Sequence, residues 1–269
     1  MSFTVQPVSP TLGVEIIGLA AARFTDADKR EFKRLFDSRH FILIRNADTS
    51  EETHLGLVEA IGPISTADAI MKDGRQFTHI SNVHGDGRLP AGELLYHSDH
   101  MFLETPLKAI SLYAIDAPRV GGETRFLNAA HVYASLPDEL KRRIADLSAV
   151  HVYDYDANRG NERATLEALS ENSDTAIHPI VWTHPETGAP VLFISRLFTV
   201  GIVGLEQAES DALLDALFAH VDAHGDDYVH AWSAGDLIVW DNRILQHARN
   251  DFPPTERRAL RRVPIGQSH

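Results

Sequence analysis

Short runs of β-branched and aromatic residues, each closed by a turn bearing Pro or Gly, recur from one end of the chain to the other. This punctuation sets the fold class. Residues 3–19 are strand-like and broken by Pro7, Pro10 and Gly13, and residues 40–45 hold the buried-strand run Phe-Ile-Leu-Ile. Further strand-like stretches are 107–117, 123–127, 150–155, 178–183, 190–195, 236–240 and 257–265. The 184–188 turn makes a hairpin of the 178–183 and 190–195 pair. Helices are fewer. Residues 25–39 carry Phe32, Leu35 and Phe36 at helical spacing behind a Thr25 or Asp26 cap. A second helix starts at Ser50 and is stopped by Gly62-Pro63, helical turns fill 129–136 and 137–147, and another helix covers 210–224. Many short strands with few helices favour an antiparallel double sheet over a parallel α/β sheet, so the expected class is mainly β with flanking helices. No repeat or linker interrupts the 269 residues, which read as a single domain over 1–269. Residues 64–92 and 156–175 are polar and rich in turn formers, and are expected to be lid loops.

Composition narrows the function. The net charge of −13 argues against nucleic acid, whose binding needs a basic surface. A small-molecule substrate fits better. No apolar run approaches the roughly 20 residues of a membrane span. The first residues, Met1-Ser2-Phe3-Thr4-Val5, lack a basic region followed by an apolar one, so the expected compartment is the cytoplasm. The chain has no cysteine, which removes disulfides, zinc thiolate sites and thiol nucleophiles together.

The chemistry centres on Tyr96-His97-Ser98-Asp99-His100-Met101-Phe102. Side chains two apart on a strand point the same way, so His97 and Asp99 are expected to present an imidazole and a carboxylate to one point. Such a pair is two thirds of the 2-His-1-carboxylate facial triad that holds Fe(II) with open positions. With 15 His and 38 acidic residues in the chain, His-x-Asp tripeptides arise by chance, so the reading needs a distant third ligand. His247 is the candidate, 150 residues beyond His97. His100 points to the other face. His178, His184, His220, His224 and His230 read as core or surface residues. After His247 comes Arg257-Arg258-Ala259-Leu260-Arg261-Arg262, where alternation puts Arg258 and Arg262 on one face and Arg257 and Arg261 on the other. A buried guanidinium needs an anion, and its fork suits a carboxylate.

These motifs together resemble the taurine catabolism dioxygenase (TauD/TfdA) family of Fe(II)/2-oxoglutarate-dependent oxygenases. The matching stretches are His97-Ser98-Asp99 with Phe102 and Glu104-Thr105-Pro106, then Gly121-Gly122-Glu123-Thr124, then Trp240-Asp241-Asn242-Arg243 to His247, then Arg258 and Arg262. Their spacing agrees with the family: Thr124 lies 27 residues after His97, and Arg258 and Arg262 lie 11 and 15 after His247. The match runs from about residue 94 to the C-terminus. The resemblance implies a double-stranded β-helix, or jelly roll. It implies that His97, Asp99 and His247 bind Fe(II), and that Thr124 and Arg258 hold the distal carboxylate of 2-oxoglutarate. Dioxygen is then consumed, succinate and carbon dioxide are released, and a C–H bond of the substrate is oxidised. Arg262 would meet an anionic substrate such as a sulfonate, an aryloxy or alkyl carboxylate, or an amino acid. Phe198 falls where the family places a substrate-contacting aromatic, and Tyr96 borders the metal ligand. Glu93 stands where taurine-oxidising members have Asn, and a carboxylate there would repel a sulfonate. Asp99 occupies the position that related halogenases vacate for chloride, which argues against halogenation. Homo-oligomers are common in the family, so self-association is a further expectation. Two other classes compete, a cupin-like metal-dependent hydrolase or isomerase and a non-catalytic ligand-binding barrel. Arg258 and Thr124 discriminate, because only the oxygenase needs a dicarboxylate clamp.

Overall fold

Trp240 is fully buried on β14 (Leu237–Asp241), the strand from which the main sheet spreads. The computed structural model describes residues 3–19, 24–47, 50–65, 76–87, 92–154 and 170–266. On one side β14 pairs with β3 (Phe41–Ile44), then β2 (Val14–Ile17) and β1 (Thr4–Pro7). On the other it pairs with β6 (Ala109–Asp116), then β16 (Ala259–Ile265) and β4 (Thr78–Ser81). All pairings in this seven-stranded sheet are antiparallel except β2 with β3.

Both faces of this sheet are covered, which is why its central strands read as continuous apolar runs. On one face Ile42, Ile44, Leu237, Val239, Val263 and Ile265 pack under two helices, α1 (Asp26–Arg39) and α2 (Glu51–Val58), through Phe32, Leu35, Phe36, Leu57 and Val58. Thr25 caps α1 with a capping box to Asp28, and the Ser50 side chain accepts from the Thr53 amide at the start of α2. On the other face Phe41, Leu43, Ile110, Leu112, Ile238, Trp240 and Leu260 meet a four-stranded sheet, whose Phe126 and Leu245 complete the sandwich. That sheet runs in the order β13 (Tyr228–His230), β7 (Thr124–Asn128), β15 (Leu245–Arg249), β5 (Leu94–His97). The result is a jelly-roll core with helices on one side: the strand pattern led us to expect the antiparallel double sheet, and the family resemblance the jelly roll.

A three-stranded sheet, β12 (Thr199–Ile202), β8 (Ser148–Asp154) and β9 (Ser173–Pro179), stands at one end, and β10 (Val181–Thr183) and β11 (Pro190–Leu192) form the expected hairpin. Two expectations change here. The 64–92 stretch is not all loop, because Thr78–Ser81 forms the edge strand β4 on β16. Most of the 156–175 stretch, like residues 66–75 and 88–91 of the first, lies outside the described residues, and Ser173–Thr175 belong to β9. Among the described residues no helix is long and apolar enough to cross a membrane.

Candidate active site

The site forms inside the sandwich, where β5 ends beside β15. His97 and His247 are register partners across this pair, and their rings lie 4.2 Å apart. The Nε2 atoms of His97 and His247 stand 3.4 and 3.9 Å from Asp99 Oδ1. One donor atom from each of the three residues therefore falls within 4.8 Å of the other two. Asp99 does not arrive by strand alternation. β5 stops at His97, the chain turns through Asp99–Met101 with His100 at φ 58°, and the turn swings the carboxylate back onto the histidines. Asn242 fixes that turn: its Oδ1 accepts from the Asp99 amide at 2.8 Å, and its Nδ2 donates to the carbonyls of Asp99 at 2.8 Å and Leu107 at 3.2 Å.

Protonation states follow from the surroundings. His97 Nδ1 lies 2.8 Å from the Leu95 carbonyl, which only accepts, so Nδ1 donates there and the ring directs Nε2 toward the other two donors. Burial, then the neighbouring His97, pushes the His247 imidazole down to about 3, so it is neutral at pH 7. Burial raises the Asp99 carboxyl, but Arg262 and the two histidines outweigh it and hold the group well below the ordinary carboxylate range. Two imidazoles and a carboxylate are the donor set that suits a divalent transition ion.

The arginines divide as alternation requires. Arg257 is exposed on Asp116, and Arg261 turns to the helix side, where it donates to His54 and lies over Tyr113. Arg258 and Arg262 flank the core residue Leu260 on the inner face. Arg262 donates to Asp99 Oδ2 from Nε at 3.1 Å and from Nη2 at 2.7 Å, so its immediate partner is a protein carboxylate at the triad. Arg258 is 2% exposed, and neither its Nε nor its Nη1 has a hydrogen-bond partner. Burial, then Arg249, pushes its guanidinium down to about 9. Its backbone is pinned to Asn82, and its Cδ packs at the Gly122 backbone, where φ is 70°. Two residues on, Thr124 is buried and its hydroxyl accepts from Trp232 Nε1 at 2.9 Å. An indole N–H is a donor only, so the Thr124 hydroxyl keeps its own proton to give to an acceptor.

Phe198 lies edge-on to His97 at 5.7 Å and packs with Phe102 at 5.2 Å, while Phe102 stacks on Tyr153 at 4.9 Å. These three rings give the site an apolar aromatic wall. Tyr96 and Glu93 are elsewhere. Tyr96 alternates with His97 and so projects from the outer face of β5, where its hydroxyl bonds Asp226 and Arg125 covers its ring at 5.2 Å. Glu93 is ion-paired with Arg125 in the same outer cavity. Neither borders the triad, so the expected repulsion of a sulfonate by Glu93 has no geometric basis.

Several residues at the site were assigned no role from the sequence, although Asp241 and Asn242 lie in one of the motifs that carry the family resemblance. Asn242 and Trp232 act through partners more than a hundred positions away. Thr78, register partner of Arg262 on the inner face, buries a hydroxyl with no hydrogen-bond partner. His184 is buried and pairs with Asp241 at 3.0 Å, while Asp241 also takes Arg243 through both carboxylate oxygens. This network anchors the β10–β11 hairpin to the turn that carries Asn242.

A family model described as taurine catabolism dioxygenase TauD, TfdA family matches residues 4–263. The chain belongs to this family. Pentalenolactone F synthase of Streptomyces arenae is 30% identical over 98% of this chain and 94% of its own length. An (S)-phenoxypropionate/alpha-ketoglutarate-dioxygenase of Sphingobium herbicidovorans is 27% identical over 96% of this chain and 93% of its own. The crystal structure of a taurine dioxygenase from Burkholderia xenovorans superposes with a TM-score of 0.79 at 26% identity, covering 98% of this chain and 91% of that one. This TauD/TfdA member is an oxidoreductase, which sets aside the hydrolase, isomerase and non-catalytic readings.

Proposed function

We propose that this protein uses Fe(II), 2-oxoglutarate and dioxygen to oxidise a small organic acid, releasing succinate and carbon dioxide. The observation that carries the reading is Arg258, a buried guanidinium with two N–H-bearing nitrogens unpartnered, in the same sandwich interior as a 2-His-1-carboxylate group. A cation held this way calls for an anion to complete it. With the triad at one end, the anion it suits is the distal carboxylate of a dicarboxylate whose other end reaches the metal. Thr124 supplies a neutral donor for the same carboxylate.

His97, Asp99 and His247 would hold the metal, which supplies dioxygen activation coupled to 2-oxoglutarate decarboxylation when bound. The chain's own contribution is positioning. Arg262 ties up Asp99 Oδ2 and leaves Oδ1 toward the histidines. Asn242 holds the turn, and Phe102, Tyr153 and Phe198 exclude water and seat the apolar part of the substrate beside His97. The named activities of the relatives, on a phenoxypropionate and on taurine, support an organic acid. Its acid group would lie near Arg262 and the Thr78 hydroxyl.

The test is succinate formation from 2-oxoglutarate across a panel of aryloxy and alkyl carboxylates, sulfonates and amino acids. The reading expects Fe(II)-dependent succinate that rises with at least one acid and is lost in His97→Ala. Substrate-stimulated turnover in His97→Ala would contradict it.

A further inference from the structure

A second group with the donor composition of the triad lies on the other face of the main sheet. His79, His84 and Asp86 each offer one ligand atom, and these atoms lie within 4.8 Å of one another. His79 is the register partner of Arg261, so it projects toward the helix side, away from Arg262 and Asp99. The group comes from one short stretch, the end of β4 and the turn that follows it. That turn is tightly specified. Ser81 Oγ accepts from the amides of Val83 and His84 at 3.0 Å each, and Gly87 N–H donates to the His84 carbonyl at 2.9 Å. A Cβ on Gly87 would stand 2.5 Å from the Ser81 carbonyl oxygen, so only glycine permits this closure. The closure lays the His84 ring on the His79 ring, 4.2 Å apart and 10° from parallel. It also brings Asp86 Oδ1 and Oδ2 to 3.2 and 3.4 Å from His79 Nδ1.

From these positions we infer a peripheral binding site for one zinc-class divalent ion, with His79, His84 and Asp86 as its protein ligands. Ligand atoms about 2.0–2.2 Å from a tetrahedral ion stand roughly 3.3–3.6 Å apart, the span already present between His79 and Asp86. Two imidazoles with one carboxylate select a borderline transition ion; calcium and magnesium take oxygen ligands. Side-chain exposure is 13% at His79 and 41% at Asp86, so an ion reaches the group from solvent. The ion would clamp the edge strand β4 to its exit turn and take no part in oxidation.

The experiment is a Zn2+ titration of the full chain against a chromophoric chelator. Wild type should bind about one equivalent more than His84→Ala. In a His97→Ala/His247→Ala background an equivalent that His84→Ala removes should remain, and adding Asp86→Asn should weaken it tenfold or more. Co2+ in the same background should give tetrahedral d–d absorption that His84→Ala removes, with circular dichroism confirming the fold of each variant. Absence of micromolar Zn2+ binding in the background variant, or affinity unchanged by His84→Ala, would overturn the proposal.

Discussion

Arg258 illustrates how a single residue can favour function over stability. A guanidinium buried with unpartnered nitrogens disfavours the ligand-free fold. Replacing a buried ion pair with apolar side chains of similar volume is often neutral or stabilising by about 1–4 kcal/mol, and a guanidinium with nothing to offset its desolvation has still less to lose. Arg258→Met should therefore unfold at the same or higher denaturant concentration than wild type without 2-oxoglutarate. A clear loss of stability would mean that the native guanidinium is already satisfied. Arg262 makes a different prediction. Its two hydrogen bonds to Asp99 orient a proposed metal ligand, and loss of such support typically weakens metal binding by about 10–100-fold. Arg262→Ala should thus lower Mn2+ affinity measured by calorimetry. A raised Michaelis constant for the substrate with metal affinity intact would assign Arg262 to the substrate alone.

At the scale of elements, the site depends on the turn between β14 and β15 reaching the turn after β5. Asn242→Ala removes three hydrogen bonds and leaves the Asp99 amide and the Leu107 carbonyl short of partners. The loss should be on the order of 2–4 kcal/mol by urea unfolding, with weaker metal retention. A change under about 0.5 kcal/mol would show that the turn holds itself. This junction also marks where sequence reading stops. The alternation of Arg258 with Arg262 is legible because a strand's period of two is local, and His97 and His247 are legible because the ordered motifs around them keep the family's spacing. The route of Asp99 is not, because β5 ends at His97 and a turn replaces alternation. Tyr96 and Glu93 look adjacent to the site in sequence, yet Tyr96 is one step from His97 and so faces the other way, and the register shift of β5 against β15 between the Leu94–Arg249 and His97–His247 pairs breaks the alternation that would carry Glu93 to the His97 face.

For the whole molecule, the fold class was readable because both faces of the main sheet are covered, by helices on one side and a second sheet on the other. The pairing order was not readable, since β14 meets β3 and β6 from distant parts of the chain. The same covering buries histidines. His54 accepts from Arg261 and bonds Ser111, and burial, then Arg261, pushes it down to about 3; burial does the same to His151. Both bind a proton more readily when unfolded, so their contribution is intact above about pH 6.5 and is lost as pH falls toward 3. Stability should drop by roughly 1.4 kcal/mol per pH unit for each across that window. His54→Gln should flatten the slope in urea unfolding between pH 6 and 4, and an unchanged slope would assign the acid sensitivity elsewhere. If 2-oxoglutarate spans the triad and Arg258, calorimetric titration of 2-oxoglutarate into the Mn2+-loaded chain will report it. Wild type should bind it, and Arg258→Met should bind it at least roughly tenfold more weakly, the loss of one charge-assisted pair. Equal affinity in the two proteins would contradict it.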